Sequence, residues 1–197
     1  MSKYLNINRF LPTTEVEGPG IRSCVWFQGC RIHCKGCFAK DLWGGEEHFL
    51  YTPDDLINKV PSSSEGITVL GGEPFEQEEG LSILLELAWK NGLSTIVFTG
   101  YTLKEMKRKE NKTIHSILSH IDVLIDGPYV ESLKCFDIPL IGSTNQRFHF
   151  LTTRYSMSDF GKNKYEVRIT KNGAIGINGM GSLDIFTKLQ KSSQTFN

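Results

Sequence analysis

The chain has 197 residues, enough for one domain with a sizeable core. Its 22 Lys plus Arg balance 22 Asp plus Glu, and with 39% hydrophobic and 22% charged residues it reads as an ordinary globular protein; nothing points to nucleic acid or another polyanion as partner. No run of about 18 apolar residues predicts a membrane span, and residues 1–8 lack the apolar core of a signal peptide, so the expected location is the cytoplasm.

In chain order, Ile21 to Phe27 is apolar and β-rich and stops at Gly29, the pattern of a buried strand. A cysteine-rich loop follows. Thr52-Pro53-Asp54-Asp55 is a helix start, with Thr as N-cap and Pro in the first turn. Ile67 to Leu70 predicts a short buried strand running into Gly71-Gly72, Glu78 to Trp89 an apolar helix stopped at Asn91-Gly92, and Thr95 to Phe98 the next strand. Two polar helices are expected, from Thr102 to about Lys109 and from Ile114 to His120. The basic run Lys104 to Lys112, broken by Glu105 and Glu110, reads as a solvated helix face. Val123 to Asp126 and Arg147 to Thr152 are further strands. Short apolar strands alternating with helices argue for a parallel sheet with crossover helices. The tail differs: alternation over Tyr165 to Ile169, then Asn172-Gly173, then Ile175 and Ile177, predicts a β-hairpin.

Chemistry concentrates in Cys30-Arg31-Ile32-His33-Cys34-Lys35-Gly36-Cys37. Five cysteines, three of them within eight residues, do not suggest a disulfide framework. Thiolates are soft ligands that suit an iron–sulfur cluster or zinc. Three cysteines leave one iron of a [4Fe-4S] cube without a protein ligand, an open position where chemistry can occur. A closed zinc site would need a fourth ligand such as His33 or His48, which leaves a zinc-binding interaction module as an alternative. Cys24 reads as a small buried strand residue. The Gly71-Gly72-Glu73-Pro74 turn follows Cys37 by about 34 residues. Ligands of parallel α/β sheets bind at the carboxyl ends of strands, two glycines let the backbone approach a ligand closely, and Glu73 offers a carboxylate to an ammonium group.

Taken together, these motifs resemble the radical S-adenosylmethionine (SAM) superfamily, and within it the small activating enzymes of glycyl-radical enzymes, above all the activases of anaerobic ribonucleotide reductases. Glu17-Gly18-Pro19-Gly20-Ile21-Arg22, Phe27-Gln28-Gly29-Cys30, Lys35-Gly36-Cys37 with Leu42-Trp43, Gly71 to Phe75, Phe98-Thr99-Gly100-Tyr101, Asp122 to Tyr129 and Gly142-Ser143-Thr144-Asn145-Gln146-Arg147 carry the resemblance, in order, over residues 6 to 150. Phe38-Ala39 and Leu70 depart from the usual pattern. The last 45 or so residues have no counterpart in the compact reductase activases.

The resemblance implies an α/β fold in the form of an incomplete (β/α) barrel of parallel strands, with residues 1–150 as the radical SAM core and 151–197 as an extension carrying the hairpin, packed on the core. It implies Cys30, Cys34 and Cys37 as ligands of a [4Fe-4S] cluster, with SAM on the fourth iron and Gly71, Gly72, Glu73 and Pro74 at its methionine end. Gly36 and Phe38 would lie near the adenine. Thr99, Asp126, Asn145 and Arg147 are further expected SAM contacts; Asp126 is equally placed to cap a helix, and 145–147 to form a plain polar turn. The implied reaction is reductive cleavage of SAM to methionine and a 5′-deoxyadenosyl radical. The electron would come from a flavodoxin- or ferredoxin-like donor, and the hydrogen from a glycine of a partner enzyme. The alternative within the superfamily is modification of a peptide or small molecule in a biosynthetic pathway.

Overall fold

The computed structural model describes residues 4–109, 111–173 and 175–180; the far end of the expected extension, 181–197, lies outside them. Among the described residues, nine strands form two sheets. The larger has seven, in the order β3-β1-β2-β4-β5-β6-β7: β1 Leu5–Thr14, β2 Arg22–Phe27, β3 Phe49–Tyr51, β4 Gly66–Gly71, β5 Ser94–Phe98, β6 Val123–Asp126 and β7 Arg147–Phe150. β2, β4, β5 and β6 are mutually parallel. Helices α1 (Pro53–Asn58), α2 (Glu78–Lys90), α3 (Leu103–Arg108) and α4 (Lys112–Ser119) lie in the connections between them.

The parallel strands read as continuous apolar runs because both faces are covered. Side chains alternate between two cores. Val25, Phe27, Ile67, Val69, Val97 and Leu124 join Leu81, Leu84, Leu85, Ile114 and Ile117 of the helices. On the opposite face, Ile96, Val123 and Ile125 meet Leu140, Ile141 and Phe160 from the later loops, and Cys24 and Trp26 meet Leu42. Cys24 is fully buried, as its strand position implied.

The helix signals hold. Thr52 and Asp55 close a capping box with Pro53 in the first turn of α1, Thr102 and Glu105 do the same for α3, and Gly92 stops α2 at φ +74°. Among the described residues no helix is long and apolar enough to cross a membrane.

The expected parallel sheet is present at its centre but becomes antiparallel at both edges. β7 pairs antiparallel with β6, and β1 pairs antiparallel with both β2 and β3. β1 alternates buried Leu5 and Ile7 with Asn6 and Asn8, then loses regular register between Leu11 and Thr14 around Pro12, which has no amide to give the ladder. That irregularity hides the strand from sequence periodicity.

The hairpin is present as β8 (Tyr165–Ile169) and β9 (Ile175–Gly179), with Ile169 opposite Ile175. Its connection therefore spans five residues, and of Asn172-Gly173 only Gly173 takes positive φ, +82°. The hairpin meets β1 and the segment after it through polar groups. Thr14 donates to Glu166, Arg9 Nη2 donates to Asn178 Oδ1 at 3.3 Å, and the Gly179 N–H donates to the Glu17 carboxylate. Burial drives Glu17 up to about 7, against the pull of Arg9 and that hydrogen bond.

Candidate active site at the carboxyl ends of the parallel strands

The loops leaving β2, β4, β5 and β6 converge, and all three clustered cysteines lie in the first of them. Its start is fixed by backbone hydrogen bonds. Gly29 N donates to Leu42 O at 2.9 Å, Cys30 N to Trp43 O at 3.3 Å, and Cys37 N to Cys34 O at 3.0 Å, closing a turn between the last two cysteines. Gly36, inside that turn, has φ +79°. A Cβ there would stand 2.7 Å from Glu131 Cδ, so this turn sits against the loop after β6. Cys30, Cys34 and Cys37 are free thiols, each half-buried. Burial raises the Cys30 and Cys34 thiols. The His33 and Ile32 N–H groups oppose this at Cys30, and the Tyr129 N–H opposes it at Cys34.

The Gly-Gly turn is bonded to the cysteine loop. Gly72 N donates to Phe27 O and Glu73 N to Gly29 O, both at 2.8 Å. Gly71 has φ +114°, and a Cβ on Gly72 would press on Gly29 O and come within 3.1 Å of Leu42 O. Gly72→Ala must therefore push the peptide immediately before Cys30. The expected cost is ~1–3 kcal/mol together with reduced iron and sulfide uptake on reconstitution; full uptake and an unchanged melting temperature would contradict this role.

Glu73 was expected to offer its carboxylate to an ammonium group. The structure shows it 1% exposed and already hydrogen-bonded: Oε1 accepts from Phe75 N and Thr99 Oγ1, both at 2.9 Å, and Oε2 from Gly100 N at 2.8 Å. Glu73 and Thr99 thus join the turn after β4 to the turn after β5. Burial pushes Glu73 up to about 7, opposed by those three donors. Because the folded value lies above the unfolded one, this contribution is fully present below about pH 4.5 and is lost as pH rises through about 7. Glu73→Gln should flatten the stability of the cluster-free protein against pH across that window, read by denaturant unfolding at pH 5 and pH 8. Parallel curves for the two proteins would refute the assignment.

The remaining expected residues divide. Pro74 is buried at the start of the 3-10 turn Pro74–Gln77. Phe38 is 80% exposed beside Cys37. Asp126 caps α3: Oδ2 accepts from Leu103 N at 2.6 Å and lies 3.0 Å from His149 Nε2, off the line of a hydrogen bond. Arg147 is exposed, opposite Asp126 in the β6–β7 register. Asn145 Nδ2 donates to Pro128 O at 2.7 Å, and its Oδ1 is a buried acceptor without a partner. Sequence reasoning missed Glu76, which accepts from Arg31 N at 2.9 Å and from Tyr101 OH at 3.4 Å and so ties the cysteine loop to the neighbouring turns. Its position three residues beyond Glu73 was the only available signal.

The donor set suits an iron–sulfur cluster: three soft thiols on one loop, with no carboxylate among them. The His33 ring stacks on Trp43 at 4.6 Å and His48 lies edge-on to Phe49; among the described residues no three of His, Cys, Asp and Glu, the three loop cysteines included, are already gathered around one point. Asn145 Oδ1 is buried without a partner, and Gly71 and Gly72 pack against the backbone of Phe27, Gly29 and Leu42.

Residues 16–149 match the family described as the 4Fe-4S single cluster domain. The anaerobic ribonucleoside-triphosphate reductase-activating protein of Escherichia coli K12 is 31% identical over 157 residues, covering 75% of this chain and 99% of that protein. Its counterpart from Enterobacteria phage T4 is 28% identical over 151 residues, covering 73% and 92%. The pyruvate formate-lyase-activating enzyme of Clostridium pasteurianum is 34% identical over 120 residues, covering 54% of this chain and 49% of that enzyme.

Proposed function

The chain belongs to the 4Fe-4S single cluster domain family and, within it, to the anaerobic ribonucleoside-triphosphate reductase-activating proteins, and on that footing we propose that it is a radical SAM enzyme that activates an anaerobic ribonucleotide reductase. The observation that carries this reading is the trio Cys30, Cys34 and Cys37, half-buried on one loop that the Gly71-Gly72-Glu73 turn holds by backbone hydrogen bonds. These thiolates would hold the cluster. With SAM bound, the cluster supplies one-electron reductive cleavage to methionine and a 5′-deoxyadenosyl radical, which takes a hydrogen atom from a glycine of the partner.

The protein's own part is binding, orientation and exclusion of water. Gly71 and Gly72 let the backbone reach the methionine end of SAM. Glu73, through Thr99 and Gly100, fixes the neighbouring turn. Gly36, Phe38, Asn145 and Arg147 are the further contacts we assign to SAM. Asp126 shapes the site through α3.

We take the parallel strands as an incomplete barrel whose open side admits a protein loop. We assign residues 1–150 to the core and the described part of 151–197 to an appendage, since relatives nearly matched to their full length cover only three-quarters of this chain. A flavodoxin- or ferredoxin-like protein in an anaerobic cytoplasm is the electron donor in this reading.

The test is anaerobic: reconstitute with iron and sulfide, reduce, add SAM and an anaerobic ribonucleoside-triphosphate reductase, and record the reductase by EPR. A glycyl radical that requires SAM and the reduced cluster establishes the function. 5′-Deoxyadenosine without a glycyl radical would transfer the chemistry to another substrate, and one tight zinc with no cluster would refute the reading altogether.

A further inference from the structure

Cys30 is bracketed by the turn after β4. Gln77 Nε2 donates to Gln28 O at 3.0 Å, Glu73 N donates to Gly29 O at 2.8 Å, and Arg31 N donates to Glu76 Oε1 at 2.9 Å. The residue between these partners is the first cysteine of the loop, and its own N–H goes to Trp43 O at 3.3 Å. The fasteners all come from residues 73–77, the last four of which form the 3-10 turn Pro74–Gln77. Ile32, next along the cysteine loop, packs on Gly100, where a Cβ would stand 2.6 Å from Ile32 Cδ1.

Of the three groups that make these bonds, only the Glu76 carboxylate is charged. It meets the peptide that joins Cys30 to Arg31, which places Oε1 within about 6 Å of the Cys30 Cα. The Glu76 side chain is 17% exposed, so water and salt screen it only in part. Tyr101 OH donates to the same oxygen at 3.4 Å, and Arg31 Nε stands 3.9 Å from Oε2 on a side chain that is 92% exposed. Both contacts are long, and the guanidinium lies in solvent, so the negative charge stays largely uncompensated.

We propose that Glu76 is a positioning residue for the cluster ligand Cys30, holding the peptide that follows it, and that its negative charge keeps the reduction potential of the cluster low. This rests on the cluster assignment above. Reduction adds one electron to the cluster, and a fixed anion beside a ligand opposes the added charge. Groups beyond the ligands orient them, and net charge is one of the factors that set a cluster's potential. A carboxylate also holds an N–H more firmly than a neutral acceptor does. The two effects separate by substitution: glutamine keeps an oxygen acceptor for Arg31 N and loses the charge, whereas alanine loses both.

Two measurements test this, the first on the cluster-free protein. In amide hydrogen exchange, the Arg31 N–H should exchange about tenfold faster in Glu76→Ala and within about threefold of wild type in Glu76→Gln. Unchanged exchange in Glu76→Ala overturns the positioning role. The second is EPR-monitored reduction of the reconstituted proteins without SAM. Glu76→Gln should shift the one-electron equilibrium about tenfold toward the reduced cluster, a midpoint about 59 mV higher, at unchanged iron and sulfide content. Glu79→Gln removes the same charge from an exposed position three residues further on and should shift it by less. An unmoved or lowered midpoint in Glu76→Gln overturns the proposal, as does an equal shift in Glu79→Gln. If Glu76→Ala does not fold, the midpoint of Glu76→Gln decides. A wild-type chain that builds no cluster overturns the reading of the cysteine loop and this inference with it, whereas a wild-type cluster with an unmoved Glu76→Gln midpoint overturns this inference alone.

Discussion

Replacing Cys34 by Ala is expected to bring 5′-deoxyadenosine formation to background while the melting temperature of the cluster-free protein barely moves. The thiol is half-buried, and the loop around it is held by groups the substitution leaves in place. Cys37 N still reaches Cys34 O, Gly29 N reaches Leu42 O, and Arg31 N reaches Glu76 Oε1. A substitution at such a position costs ~0.5 kcal/mol. The loss of function is total in this account because a third thiolate has no substitute: among the described residues the other cysteines are Cys24, buried on β2, and Cys135, whose amide is bonded to Gly142 O in a different loop. Cys24→Ala is the matched control. It opens a small void in the core but leaves the donor set whole, so cluster content and SAM cleavage should persist. Retained SAM cleavage in Cys34→Ala would sink the ligand assignment.

Arg22→Met should have the largest effect on stability. The guanidinium is fully buried at the opposite, amino-terminal ends of the parallel strands, where it joins β2, β4 and β5. Nε donates to Thr68 Oγ1 at 2.8 Å, Nη1 to Ser94 Oγ at 2.9 Å, and Nη2 to Ile67 O at 2.7 Å and Ser94 O at 3.1 Å. Every acceptor is neutral; burial lowers the pKa, opposed first by Tyr155 and then by Cys24 and Asp122. Methionine matches much of the volume but leaves these oxygens without donors in a site closed to water. The expected loss is ~3–5 kcal/mol, a large share of the ~5–15 kcal/mol that holds a domain together, and about 10 °C in melting temperature. Arg22→Lys should recover only part of this, because one ammonium cannot span three strands as a planar fork does. A melting temperature within about 2 °C of wild type for Arg22→Met would show that the fork is not the fastener these contacts describe.

Several elements were legible because their causes are local. The capping boxes at Thr52 and Thr102 are short-range matches between side chain and amide, and the parallel strands are apolar runs that stop at glycine. β1 was not legible. Its pairing breaks around Pro12, and its partners β2 and β3 are what make it a strand. Within the site, the sequence singled out Glu73 for its carboxylate but not for its partners. It meets Thr99 and Gly100, and no spacing rule could say that its carboxylate would be filled by them. Asp126 ends its strand as expected, yet serves the first turn of α3.

The sequence by itself determined the ligand chemistry: three thiols within eight residues on a loop after a buried strand, followed by a glycine-paired turn. Softness of sulfur and freedom of glycine are properties of residue type, and close spacing along the chain brings the thiols together whatever the rest of the fold does. Only the tertiary structure decided that Gly142 to Gln146 would grip the turn at 127–130, and that Glu131 just beyond it would lie against Gly36. Those contacts join segments far apart in sequence, and their geometry is set by the packing of β6 between β5 and β7. A hydrogen bond between distant segments exists only when the whole sheet has placed both partners, so no local pattern can carry it.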